Sequence, residues 1–245
     1  MEAIAQRKLS SEQIEAFYHT EFVDDQVRDY ARLMQDTNGC GVVVDIGGGC
    51  GYFARALADS IGQPVRVIDQ DPQSIQACRD MAVEGRLGDA LLPEVEGDEG
   101  VVCFNLILHH LVGRNELETR MLQSQAVRTW HGRSKAIFVN EYIYESFVPN
   151  ASGRFIYAIT GSRILSFIGR QVARFIPAFR ANTFGVGVRF RSHDEWKKLF
   201  EYAGFTVASA TKGRPETISL PLRLLLIKTI RRDSFRLEPA FTSLR

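Results

Sequence analysis

The chain has 245 residues, 45% of them hydrophobic, with 30 basic and 29 acidic side chains and a net charge of +1. The apolar share is that of a globular core, and the charge balance offers no concentrated basic footprint for nucleic acid or a membrane surface. The four cysteines (Cys40, Cys50, Cys78, Cys103) form no Cys-x-x-Cys pair. They read as unpaired thiols of a reducing cytosol, not as a disulfide framework or a zinc site. Residues 1–9 carry Glu2, Arg7 and Lys8 with no apolar run, so no secretory signal is expected and the expected location is cytoplasmic.

In chain order, residues 10–36 place Ile14, Phe17, Tyr18, Val23, Val27, Tyr30, Leu33 and Met34 at roughly helical spacing, which predicts an N-terminal helical cover. Val42, Val43 and Val44 then run into Asp45, with glycines at 47, 49 and 51 and a helical pattern from Tyr52. An apolar run of this kind is a buried parallel strand. Glycines at its end let the backbone turn sharply and approach a ligand, where the next helix opens with free N–H groups. The spacing is not that of the G-x-G-x-x-G pyrophosphate turn. A strand carboxylate two residues before the first glycine favours a cationic ligand, and S-adenosylmethionine (SAM), with its ammonium, sulfonium and no phosphate, fits that requirement.

The next stretches agree. Phe53, Leu57 and Ile61 share a helix face that Gly62 and Pro64 end, and 65–68 is a second strand terminating in Asp69-Gln70-Asp71-Pro72. Asp69 stands 22 residues beyond Gly47, the distance at which a strand-end acid binds ribose hydroxyls. Asp71 before Pro72 predicts an N-cap with proline at the first helical position. A turn at Gly88, Asp89 and Ala90 and a fourth strand over 101–105, ending in Asn105, complete the series.

These pieces, in this order, resemble the class I SAM-dependent methyltransferase family over roughly residues 40–232. The resemblance implies an α/β fold: a Rossmann-like, doubly wound, seven-stranded sheet, mostly parallel, with a C-terminal antiparallel strand. It assigns Asp45, Gly47, Gly49 and Gly51 to the first cofactor motif. Asp69 and Gln70 would hold the ribose, Asp89 and Ala90 the adenine, and Asn105 would begin the segment lining the methyl-transfer mouth. It implies SAM as cofactor and S-adenosylhomocysteine as product. The organisation expected is one methyltransferase domain over 1–245: a helical cover (1–38), the cofactor core (40–145), a lid insertion (150–190) and the last helix and strands (192–232).

The fifth strand is read over 135–143. From 155 to 179 a helical stretch carries Arg163, Arg170 and Arg174 on one stripe. Its arginines make it a poor membrane span, and an amphipathic lid or an ordinary solvated basic face is expected, with an interfacial membrane helix or a dimer surface as the other readings. Ser192 and Glu195, three apart, predict a capping box for a helix burying Trp196, Leu199, Phe200 and Ala203. Two last strands are read at 205–210 and 222–230, joined by a turn at Gly213, Arg214 and Pro215.

For chemistry at the strand ends, His110 and Glu141 are the candidate catalytic groups, either of them as base, with at most one of His109 and His110 facing the mouth. Tyr18 and Tyr142 are candidate substrate or lid residues. Arg189 and Arg191 read as surface salt-bridge formers or as contacts to an anionic substrate. The histidines show no ligand spacing, so no metal is expected. The reading that follows is methyl transfer to a small molecule, with no nucleic-acid partner. Within the family the layout is similar to N-methyltransferases of bacterial secondary metabolism acting on planar heterocycles such as azapteridine toxins. O- or C-methylation of another metabolite, an RNA methyltransferase and a non-catalytic SAM-binding module remain as alternatives. A nicotinamide dehydrogenase lacks its pyrophosphate spacing. The acceptor atom and the oligomeric state are not readable.

Overall fold

A computed structural model describes residues 4–8, 13, 23–37, 39–175 and 183–240. Seven strands form one sheet: β1 (Val42–Ile46), β2 (Val65–Asp69), β3 (Glu84–Leu87), β4 (Glu99–Asn105), β5 (Ala136–Ser146), β6 (Phe205–Lys212) and β7 (Ile227–Pro239). Their order is β3-β2-β1-β4-β5-β7-β6, with β7 antiparallel to both neighbours and the β1–β5 ladders parallel. The expected Rossmann-like, doubly wound sheet is therefore present. Strand order reverses between β1 and β4, and ligands of open α/β sheets bind outside the strand ends at that point.

Both faces of the sheet are covered because its central strands carry apolar residues on both sides. Val44, Ile46, Val102, Phe104, Ile137 and Val139 face one core with Trp130, Trp196 and Phe200. Val43, Val67, Val101, Cys103 and Phe138 face another with Tyr30, Phe53, Leu57 and Ile75. Neighbouring residues of one strand thus enter opposite cores, as period-2 geometry requires.

The covering helices are α1 (Asp24–Leu33), α2 (Tyr52–Ile61), α3 (Pro72–Asp80), α4 (Glu116–Arg128), α5 (Ala151–Gly161), α6 (Arg163–Phe175), α7 (His193–Tyr202) and the short α8 (Leu220–Arg223). Their caps are as the sequence predicts. Asp71 accepts from Ser74 N at 2.8 Å with Pro72 behind it. Ser192 and Glu195 close a reciprocal capping box at 3.2 and 3.1 Å. Gly51 caps α2 at φ +83, and a Cβ there would stand 2.9 Å from Cys78 Sγ. Gly51→Ala is expected to cost about 1–2 kcal/mol in denaturant unfolding, from the left-handed backbone and the contact together. A loss below about 0.5 kcal/mol would refute that account of the turn.

Three expectations are corrected. The helical stretch of the insertion is two helices, because Ser162 turns extended (ψ 129) at the end of α5 while its hydroxyl accepts from Leu165 N at 3.3 Å to start α6. The last strand is not 222–230. Pro221 begins a helical turn there, and β7 runs on to Pro239 with Asp233 and Ser234 fully buried. Its polar residues disguise it, since they are neutralised inside the sheet: Arg231 meets Asp233 at 2.8 Å and Ser234 donates to Asp29 at 2.7 Å. β5 extends to Ser146 because β7 pairs with it that far. The expected helical positions Ile14, Phe17 and Tyr18 lie outside the described residues.

Candidate active site

The ends of β1, β2 and β4 surround a cavity of about 360 Å³. Its floor is the glycine turn. Gly47 N donates to Ile68 O at 2.7 Å, tying the end of β1 to β2, and Gly51 N closes the turn on Gly48 O at 3.0 Å. Gly49 has φ +54 and no heavy atom within 4 Å of where a Cβ would stand, so the backbone there is open to a ligand. Asp69 rises beside it, accepting from Gly49 N at 3.0 Å and Asp71 N at 2.9 Å. Burial lifts its carboxyl above the usual range, and those two N–H groups pull it partly back. Gln70, Asp71, Ser74 and Tyr52 extend the same wall.

Not every expected cofactor residue meets the cavity. Asp45 is fully buried beneath the turn, its carboxylate filling the space where a Gly48 side chain would go, so it acts on the turn from behind. Gly51 likewise shapes the floor without lining it. Asp89 accepts from Leu91 N at 2.9 Å and has Lys8 3.9 Å away, and neither it nor Ala90 is on the wall. Asn105 is on the wall, and its buried Oδ1 meets no hydrogen-bond donor among the described residues. Beside it Leu106 holds φ +57, a strained conformation for a branched residue and one typical of functional loops.

The opposite wall carries the titratable groups. A 3-10 turn (Leu108–His110) follows β4, and Glu141 of β5 lies fully buried under it. One carboxylate oxygen accepts from Leu108 N at 2.6 Å, and the other lies 2.7 Å from His109 Nδ1. The histidine bonded to Glu141 is thus His109, not His110. Both residues line the cavity, their rings tilted 40° with centroids 4.2 Å apart, where at most one was expected to face it. Burial, with His109 as neighbour, pushes His110 well below the usual histidine range. A proton on His109 Nδ1 shared with Glu141 leaves Nε2 as its basic nitrogen, a tautomer assigned from that hydrogen bond. Glu141 itself does not line the cavity, and Tyr142 does. Tyr18 lies outside the described residues.

Two features escaped the sequence reading. The first is Phe190, which stacks on Tyr144 at 4.2 Å and on His109 at 4.9 Å. It is delivered by an extended strip along β5 in which Arg189 N donates to His109 O and Tyr144 N to Arg191 O, both at 3.0 Å. Arg189 and Arg191 are neither surface residues nor cavity residues. Arg189 is wholly buried and reaches Glu116 at 2.7 Å and Glu195 at 2.8 Å, while Arg191 reaches Gln123 at 2.7 Å and Glu116 at 3.0 Å. The alternation of two cations around one aromatic was the signal for such a strip. The second is an N-terminal strap: Gln6, Arg7 and Lys8 cross the cavity. Arg7 N donates to Val112 O at 2.9 Å and its guanidinium to Gly161 O at 2.9 Å and Arg114 O at 3.2 Å. Among the described residues none of α5 or α6 lines the cavity, and the end of α5 holds the strap through Gly161 O. Among the described residues no cluster of His, Cys, Asp or Glu could hold a metal, and no helix is long and apolar enough to cross a membrane.

No protein-family model and no curated protein matches the sequence. Solved structures share the fold. A mitomycin 7-O-methyltransferase superposes with a TM-score of 0.54 at 16% identity over 88% of this chain and 54% of its own. A pyocyanin biosynthetic protein does so at 0.54 and 15%, over 87% and 54%. The chain thus spans about half the length of these two. A Burkholderia thailandensis 1,6-didemethyltoxoflavin-N1-methyltransferase, solved with 1,6-didemethyltoxoflavin and S-adenosylhomocysteine, gives 0.57 at 13%, over 94% and 83%.

Proposed function

We propose that this protein is a SAM-dependent methyltransferase acting on a small molecule, and that its acceptor is a planar nitrogen heterocycle. The observation that carries the reading is one cavity holding two complementary halves. On one side is an open glycine turn with a ribose-height carboxylate (Asp69) and an unpartnered acceptor (Asn105). On the other is a histidine oriented by a buried glutamate.

The turn and both acceptors fit SAM, whose ammonium and ribose hydroxyls are donors and which brings no phosphate. When bound, it supplies a methyl group already activated on a sulfonium. The chain's own residues have to fix the acceptor in line and exclude water. His109 Nε2 can take the proton that an N–H acceptor loses as it gains the methyl group, and Glu141 stabilises the imidazolium that forms. Tyr142 and the two histidines on the cavity wall supply aromatic surface for a flat acceptor, with Phe190 packed behind His109 and Tyr142. The Burkholderia enzyme's bound heterocycle supports that choice by analogy of fold. A hydroxyl acceptor is the second reading, favoured by the same His109–Glu141 pair because an alcohol or phenol also needs a base. The mitomycin enzyme is the O-methylating counterpart on this fold.

Calorimetric titration with SAM, S-adenosylhomocysteine and NADH tests the class. One-site binding of the two sulfur ligands and none of NADH is expected. Asp69→Ala should weaken S-adenosylhomocysteine about 10–100-fold, the value of charge-assisted hydrogen bonds to ribose. The raised Asp69 carboxyl adds a pH signature. Affinity is full above that pKa and falls as pH drops through it, beginning above the range where an ordinary aspartate protonates. Failure of both sulfur ligands to bind would overturn the proposal.

A further inference from the structure

α6 is packed inside out. Ser166, Gly169 and Ala173, three small residues at i, i+3 and i+7, press against the body of the protein, Gly169 so closely that a Cβ would come 2.7 Å from the Phe184 ring. The large apolar residues point the other way. Ile164, Leu165, Phe167, Ile168, Val172 and Phe175 are all exposed, Phe175 at 87% and Ile164 at 74%. Helices of globular proteins turn their apolar stripe to the core. A run of large exposed apolar side chains along one helix marks a surface that is covered in use.

Charge says by what. From 146 to 193 the sequence holds seven arginines and no lysine, aspartate or glutamate. Against a net charge of +1, that stretch leaves the rest of the chain at −6. Two of the arginines, Arg189 and Arg191, are neutralised inside the fold. Arg154, Arg163, Arg170 and Arg174 are exposed, and none meets an acid among the described residues. The last three sit at i, i+7 and i+11, along one edge of the apolar face. A second copy of the chain would bring this acid-free helix against itself across a two-fold axis, arginine facing arginine. An anionic bilayer surface meets both halves, taking the phenylalanine, leucine and isoleucine side chains below its headgroups while the arginines reach up to the phosphates.

We propose that α6 is an interfacial anchor that seats this protein on anionic phospholipid membranes. The helix has 13 residues, about 20 Å, and lies in the interface without spanning it. This accounts for an insertion whose helices line no part of the cavity.

The test is co-sedimentation of the full chain with sucrose-loaded vesicles of phosphatidylcholine alone or mixed equally with phosphatidylglycerol. Binding to the mixed vesicles is expected to exceed that to neutral ones by at least about tenfold and to fall with added salt. Arg163→Gln, Arg170→Gln and Arg174→Gln should each weaken it about fivefold. Phe167→Asp with Ile168→Asp should abolish it while leaving S-adenosylhomocysteine binding and the melting temperature unchanged, since both side chains are exposed. Retention in the supernatant with mixed vesicles overturns the proposal, as does equal binding to neutral ones. So does a dimer in sedimentation velocity that the double aspartate variant dissociates.

Discussion

Arg189→Ala is expected to lower the free energy of unfolding by about 3–5 kcal/mol, the range found when one partner of a buried ion pair is removed. Arg189 has no exposure and holds Glu116 and Glu195 on two different helices, with a further bond to the carbonyl of Phe190. Deleting it leaves Glu195 with the Ser192 N–H of its capping box and, as its nearest cation, the more distant Arg191 guanidinium 3.8 Å away, and empties the space against Gly153, whose missing side chain makes room for this guanidinium. Arg189→Met fills much of that volume and isolates the electrostatic share. Urea denaturation of both variants measures it, and a loss under about 1 kcal/mol for alanine would show that the network is not a structural centre. The strip it holds carries Phe190, so the same variant should also loosen the ring stacked on His109.

His109→Gln is expected to cut turnover about 10²–10⁴-fold, the span of general base catalysis, while S-adenosylhomocysteine affinity changes less than about threefold. His110→Gln should cost less than about tenfold, because burial keeps that ring neutral and Glu141 does not orient it. Glu141→Gln separates positioning from charge. It keeps an acceptor for Leu108 N and lowers turnover by removing the carboxylate that stabilises His109 as a cation. With an acceptor found by screening flat heterocycles and phenols, single-turnover rates of the three variants measure these losses. Equal losses in the two histidine variants would refute the assignment to His109.

The glycine-turn half of the site was legible because it is written in local chemistry. Glycines with positive φ at 47, 49 and 51, an acid ending β2 and the caps at Asp71 and Ser192 are each enforced within a few residues of themselves. The acceptor half depends on chain segments far apart. Only the pairing of β5 beside β4 brings Glu141 under residue 109, and adjacent histidines carry no sequence mark saying which is chosen. Arg189 and Arg191 read as surface charges because their partner Glu116 stands more than seventy residues away. β7 was misplaced for a related reason. An apolar run at 222–226 outweighed a polar run at 231–236 whose charges find partners only after folding, Arg231 at Asp233 and Arg236 at Asp36. The stop between α5 and α6 was visible as Gly161-Ser162, but helical periodicity continues across it.

The strap of Gln6, Arg7 and Lys8 has a kinetic consequence. Arg7 is fastened at once to the loop after the 3-10 turn and to the far end of α5, so the cavity's wall on that side is a piece of chain held by a few carbonyls. Opening of those bonds is expected to clear the way past that wall. Loosening Arg7 is expected to shorten the residence time of a bound ligand more than it weakens its equilibrium affinity.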